Sequence, residues 1–101
     1  MVFGEWELVS ATWSDQHAHD EFNYVLEGEL TVECNGRSVV AVAGDLVRVP
    51  GGVLGRYTAT RYARMLSVYP PDPTGSAPTQ MSYASIPDDQ DSTALNETAA
   101  S

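Results

Sequence analysis

The sequence predicts an all-β fold, an antiparallel sandwich or barrel, from three observations. Roughly seven short β-prone runs follow one another, each bounded by Gly, Pro, Asn or Asp. Within the runs, apolar and polar residues alternate with a period of two. No segment before residue 90 carries a 3.6-residue period, so no helix is expected to cover the sheets.

The elements follow in order. Residues 5–13 read as a first strand, with Trp6 and Leu8 alternating against polar neighbours, and Ser14-Asp15-Gln16 reads as a turn. Residues 17–26 read as the central strand, running into a turn at Glu27-Gly28-Glu29. Leu30–Cys34 returns, with Leu30, Val32 and Cys34 on one side. Asn35-Gly36 is a strong hairpin signal, because both central positions of a type I′ turn need positive φ. Ser38–Val42 continues as a β-branched strand, Ala43-Gly44-Asp45 turns, and Leu46–Val49 stops at Pro50-Gly51-Gly52. Gly55–Thr60 and Arg64–Tyr69 are two further strands.

Residues 1–70 are therefore expected to form the barrel. From residue 71 to 101 the composition turns to Pro, Ser, Thr, Ala and Asp, too poor in large apolar groups to order alone. This arm is expected to dock on its own barrel or on a partner subunit. Met81, Tyr83 and Ile86 could form one docked strand, and residues 91–100 a weak terminal helix.

The chain has 101 residues and a formal net charge of −9, which argues against a nucleic-acid surface and against an anionic membrane. Five of the acids (Asp72, Asp88, Asp89, Asp91 and Glu97) fall in the arm. Cys34 is the only cysteine, so no intrachain disulfide can form, and it is expected to be a small buried hydrophobe. The sequence shows neither a signal peptide nor an apolar run of spanning length, so a cytoplasmic location is expected.

Chemistry concentrates at the start of the central strand. On an extended strand His17, His19, Glu21, Asn23 and Val25 share one face, while Phe22, Tyr24 and Leu26 share the other. Two imidazoles and a carboxylate suit Zn, Fe, Mn or Ni, and such a set with open positions suits non-haem Fe(II). Strand rise separates residues i and i+2 by about 6.6 Å, which two histidines can bridge onto one ion. Residues i and i+4 lie about 13 Å apart, so a bend at Asp20 is needed to bring in Glu21. The plainer alternative is a set of polar pocket residues bonded to one another or to a ligand. Asn23 is a candidate for orienting a ligand, or else a satisfied buried amide. Arg48 is a candidate for an anionic ligand, or else a surface arginine. Tyr57 is a candidate cavity residue, or else core. Arg56, Arg61 and Arg64 are expected at the surface or an interface, and Trp6 and Trp13 in the core or a dimer contact.

The passages Tyr24-Val-Leu-Glu-Gly-Glu29, Asn35-Gly36 and Gly44-Asp45-Leu-Val-Arg-Val-Pro50-Gly-Gly52 together resemble the cupin superfamily, over roughly residues 5–70. The resemblance implies a double-stranded β-helix, a conical jelly-roll barrel with a small-molecule pocket in its mouth. His17-x-His19 and the Glu21–Gly28 spacing match the family's first motif, but the spacer between His19 and Glu21 is shorter than the family's. Gly44, Pro50 and Gly52 match the second motif, in which Gly55 stands where the family has its third histidine and Ala59 where it has asparagine. The run Tyr62–Pro70 is similar to the ethanolamine-utilisation cupin-like proteins, whose metal triad is also degraded.

What this implies is a small cupin that binds a small oxygen-rich or anionic molecule in the barrel mouth. A divalent metal would be held by His17, His19 and Glu21, with Glu21 and His19 as the catalytic groups and Asn23, Arg48 and Tyr57 as ligand contacts. Isomerase, cyclase or lyase chemistry is implied first, then dioxygenation. The alternative is a metal-free ligand-binding, accessory or structural cupin. A homodimer packed through Phe22, Tyr24 and Leu26 is expected.

Overall fold

In a computed structural model of the chain, the described residues are 1–71 and 79–86. They form six strands and no helix: β1 (Val2–Gln16), β2 (Glu21–Cys34), β3 (Arg37–Val42), β4 (Leu46–Val49), β5 (Leu54–Tyr69) and β6 (Thr79–Ser85). Every pairing is antiparallel.

Three strands are long enough to serve two halves of the fold. The first parts of β1 and β2 pair with the last part of β5, in registers such as Trp6↔Met65 and Val25↔Met65, and β4 adds to β2. The last parts of β1 and β2 pair with the first part of β5, as in Trp13↔Tyr57 and Val32↔Tyr57, flanked by β6 and β3. The two halves bury one shared core. Leu8, Val25, Ala63 and Met65 come from one half, and Ala11, Leu30, Val32, Tyr57 and Ala59 from the other.

The long strands cross between the halves at irregularities placed side by side. In β1 the register shifts between Val9 and Ala11, where Ser10 takes φ 48°. Its hydroxyl donates to the Thr60 carbonyl at 3.2 Å. In β2 the register shifts on both sides of Gly28, which has φ +85°. A Cβ on Gly28 would run into the Tyr62 carbonyl, so this glycine answers both a backbone and a space requirement.

Each bulge also changes which residues face inward. In β1 the buried positions move from Leu8 to Ala11 and Asp15, and in β2 from Glu21, Asn23 and Val25 to Leu30 and Val32. An inserted residue inverts the two-residue alternation beyond it.

Several boundaries correct the expectations. Ser14–Gln16 belongs to β1 and is not a turn. Residues 17–20 leave the sheet, and β2 begins at Glu21, so the central strand does not run from residue 17. Glu27-Gly28-Glu29 bends a continuous strand instead of ending one. The two strands expected over 55–69 are one, β5. Asn35 and Gly36 take φ 51° and 72°, the positive values a type I′ hairpin needs. Residues 79–85 pair with β1, whereas the weak helix considered over 91–100 lies outside the described residues. No helix among the described residues is long and apolar enough to cross a membrane.

Candidate functional site

The connection from β1 to β2 carries both histidines, and the turn after β4 fixes its shape. The Gly52 amide donates to the His17 carbonyl at 2.7 Å. The Gly51 amide donates to Asp20 Oδ1 at 2.8 Å, and Arg48 Nε donates to Asp20 Oδ2 at 3.0 Å. These two donors, the Gly51 amide first, hold the Asp20 carboxyl below its usual range. The turn and the connection touch so closely that a Cβ on Gly51 would sit 2.8 Å from the Ala18 carbonyl oxygen.

Held this way, the chain folds back between His17 and Glu21, and His17 Nε2 lies 3.4 Å from Glu21 Oε1. A straight strand could not bring them together. Asp15, the last inward residue of β1, completes the group, its Oδ2 3.1 Å from His17 Nε2. Asp15, His17 and Glu21 each offer a ligand atom, and these atoms lie within 4.8 Å of one another. Asp15 and Glu21 are buried, at 6% and 8% exposure. They flank a cavity of about 290 Å³ that is also lined by Trp6, Trp13, Tyr57 and Tyr69.

Two donors orient the carboxylates from behind. Trp13 Nε1 donates to Asp15 Oδ2 at 2.9 Å, and the Tyr57 hydroxyl donates to Glu21 Oε1 at 3.2 Å. Burial pushes the Glu21 carboxyl above its usual range; His17 pulls against this and Asp15 adds to it. Burial and then the charge of Glu21 raise the Tyr57 hydroxyl far above the ordinary phenol range, so it remains a donor. Ionised carboxylates only accept, so His17 Nε2 bonds Asp15 Oδ2 in the tautomer that carries its proton there, with Glu21 Oε1 3.4 Å away.

The donor set fits a divalent cation. One imidazole nitrogen and two carboxylate oxygens converge, and they can reach one ion with the imidazole nitrogen unprotonated. His19 stands beside this set. Its ring stacks on Tyr69 at 5.0 Å and lies 5.2 Å from the His17 ring, and its Nε2 is buried with no hydrogen-bond partner among the described residues.

The remaining candidates separate. Tyr57 joins the site through Glu21 and lines the cavity. Asn23 is fully buried behind the cavity wall. Its Oδ1 accepts from Trp6 Nε1 at 3.0 Å and from the Ser67 hydroxyl at 2.6 Å. Indole is only a donor, which fixes the orientation of the amide and leaves Nδ2 without a partner among the described residues. Arg48 lies on the outer face, its side chain 56% exposed and paired with Asp20, away from the cavity lining.

Asp15 is the residue that sequence reasoning missed. It continues the every-second-residue pattern of His17, His19 and Glu21 one step towards the N-terminus, a signal present in the sequence. Counted from Trp6 and Leu8, however, it falls on the outer face, and only the bulge at Ser10 turns it inward.

A continuous antiparallel sheet folded around one core, with a polar cluster in a cavity between its halves, defines a small antiparallel β-barrel domain. Residues 7–69 match the cupin domain family, and the chain belongs to that family, with its jelly-roll fold. Among curated relatives, it is 34% identical over 70 residues to the acetate kinase EutQ of Clostridioides difficile (strain 630), covering 68% of this chain and 45% of that protein. It is 35% identical over 66 residues to the acetate kinase EutQ of Escherichia coli (strain K12), covering 65% of this chain and 28% of that protein. The solved structure of the Clostridium difficile EutQ protein superposes with a TM-score of 0.64 at 32% identity, covering 68% of this chain and 55% of that one. The chain thus spans less than half the length of the curated relatives it matches.

Proposed function

We propose that this cupin binds a small oxygen-bearing molecule in the cavity between its half-sheets, over a divalent cation of the Zn, Fe, Mn or Ni class. Asp15, His17 and Glu21 would hold the ion, with His19 beside them. The observation that carries this reading is the convergence of three ligand atoms within 4.8 Å at the wall of a cavity of about 290 Å³. Bound there, such an ion supplies Lewis acidity, or a site for dioxygen. The aromatic walls formed by Trp6, Trp13 and Tyr69 take the body of the ligand. Glu21 is the group suited to accept or return a proton, because it lines the cavity beside His17 and burial raises its carboxyl above the usual range. Isomerase, cyclase or lyase chemistry, or dioxygenation, are the activities this arrangement would serve. With Arg48 facing outward, selection of an anionic ligand would fall to the ion itself. Acetate, the substrate class in the name of the relatives, is a small oxygen donor of this kind.

Elemental analysis of purified protein, followed by calorimetric titration with Zn²⁺ and Mn²⁺, tests the reading. About one equivalent of ion is expected, with its affinity lost in His17→Ala and Asp15→Asn. A wild-type protein that takes up no ion sinks it.

One observation favours a second reading, a metal-free binding or accessory cupin. His17 Nε2 already lies 3.1 Å from Asp15 Oδ2 and 3.4 Å from Glu21 Oε1, so the imidazole can partner the carboxylates with no ion between them. Ligand binding unaffected by a chelator would support this reading over the first. In either case we propose a homodimer in the cytoplasm, packed through the outer face of β2.

A further inference from the structure

Residue 55 is the rung partner of Asp15 in the β1–β5 ladder. A side chain there would stand on the inner face beside the Asp15 carboxylate. Residue 55 is a glycine, although no positive φ demands one at that position. The need is for space. A Cβ on Gly55 would lie 3.2 Å from the Tyr57 hydroxyl oxygen, 3.4 Å from Tyr57 Cε2 and 3.1 Å from Val49 Cγ1.

Tyr57 is two residues further along the same face, with its ring laid back over Gly55. It is 1% exposed, and Trp6 holds it edge to face at a centroid distance of 5.5 Å. Its hydroxyl donates to Glu21 Oε1, the same oxygen that lies 3.4 Å from His17 Nε2. The ring therefore fills the room beside Asp15 and spends its one proton on the other carboxylate of the cluster. A residue as large as histidine at position 55 would have to occupy the same volume.

We propose that Gly55 and Tyr57 act as one positioning unit: the bare Cα at 55 admits the Tyr57 hydroxyl, and that hydroxyl holds Glu21 turned towards Asp15 and His17. The proposal rests on the cation reading of this cluster. Tyr57 is a positioning residue in it and not a ligand. The unit also explains the ligand set, because the volume beside Asp15 that a third imidazole would need is taken by the phenol.

The test uses Co²⁺ as the probe, read by calorimetry and by its visible absorption bands, in Tyr57→Phe, Gly55→Ala and the double variant. Removal of an outer-shell partner typically weakens metal binding 10- to 100-fold, so each single variant is expected to lose about tenfold in Co²⁺ affinity and to alter the bands. The double variant should bind no more weakly than Tyr57→Phe, because the added methyl then has no hydroxyl to displace. Losses that multiply in the double variant overturn the unit. Should Gly55→Ala fail to fold, Tyr57→Phe alone decides, and unchanged affinity and bands overturn the proposal. A wild-type protein that takes no Co²⁺ overturns the underlying cation reading instead. Melting temperatures of the ion-free variants then judge the pair: non-additive shifts keep it and additive shifts overturn it.

Discussion

Replacement of Gly51 by alanine perturbs the site without touching any candidate ligand. The new Cβ would sit 2.8 Å from the Ala18 carbonyl oxygen, 2.8 Å from the His19 carbonyl carbon and 2.9 Å from its Cα. Ordinary carbon contacts begin near 3.5 Å, so one backbone segment must retreat by about 0.6 Å or more. Both segments are tied, by Gly52 to the His17 carbonyl and by Gly51 to Asp20. Overpacking of this kind costs about 1–3 kcal/mol. At about 4–8 °C per kcal/mol for a domain of this size, the melting temperature should fall by at least about 4 °C. The displaced segment carries His17 and His19, so affinity for a divalent ion should drop by about 10-fold or more. Gly52→Ala is the matched control. Its φ is +79° and its Cβ would meet nothing within 4 Å, so it carries only the left-handed backbone penalty of about 1–2 kcal/mol and should weaken ion affinity by less than Gly51→Ala. Thermal denaturation and metal titration of both variants decide the matter. If Gly51→Ala melts with the wild type, or if both variants lose affinity equally, the latch between the two loops is refuted.

Other outcomes follow from the same structure. Gly28→Ala combines a left-handed backbone with a collision at the Tyr62 carbonyl, and should cost about 2–5 kcal/mol in a denaturant melt. Glu21→Gln removes a carboxyl that burial raises. A raised folded pKa gives stability that is present below the ordinary value of 4.5 and lost as pH rises through the raised one. The variant should therefore melt above the ion-free wild type at neutral pH, and the gap should close in acid; a gap that does not vary with pH would count against the burial argument. Tyr24→Glu places a charge beside Leu66 and Leu46 on the outer face and should yield monomers in sedimentation if the homodimer forms there.

The period-two runs and their Gly, Pro and Asn boundaries were enough to reveal an all-β fold over the described residues, because burial on one side of a sheet writes itself into alternation. The Asn35-Gly36 hairpin was equally legible, since few residue pairs tolerate two positive φ values. Continuity was harder to read. Gly28 resembles a turn residue, yet it lets β2 bend without breaking, because Tyr62 packs directly against it. The site was half legible. His17 and Glu21 do meet, but through a fold-back fixed by Gly51 and Gly52, residues some thirty positions away. Asp15 was hidden by the Ser10 bulge, which reverses the phase of β1 and cannot be seen in a parity count. Arg48 faces outward because Val49, its neighbour in β4, is the buried residue there.

The three converging groups lie within a span of residues 15–21, whereas closing the sheet requires Val2 to find Tyr69. During synthesis, the candidate ligands therefore leave the ribosome well before β5, which brings Tyr57 and Tyr69 to the cavity. A denatured chain keeps the same groups as near neighbours, and an ion can grip them there as well. Occupancy should consequently protect the native protein against heat by less than its measured affinity would suggest, the shortfall being the hold of the ion on the open chain.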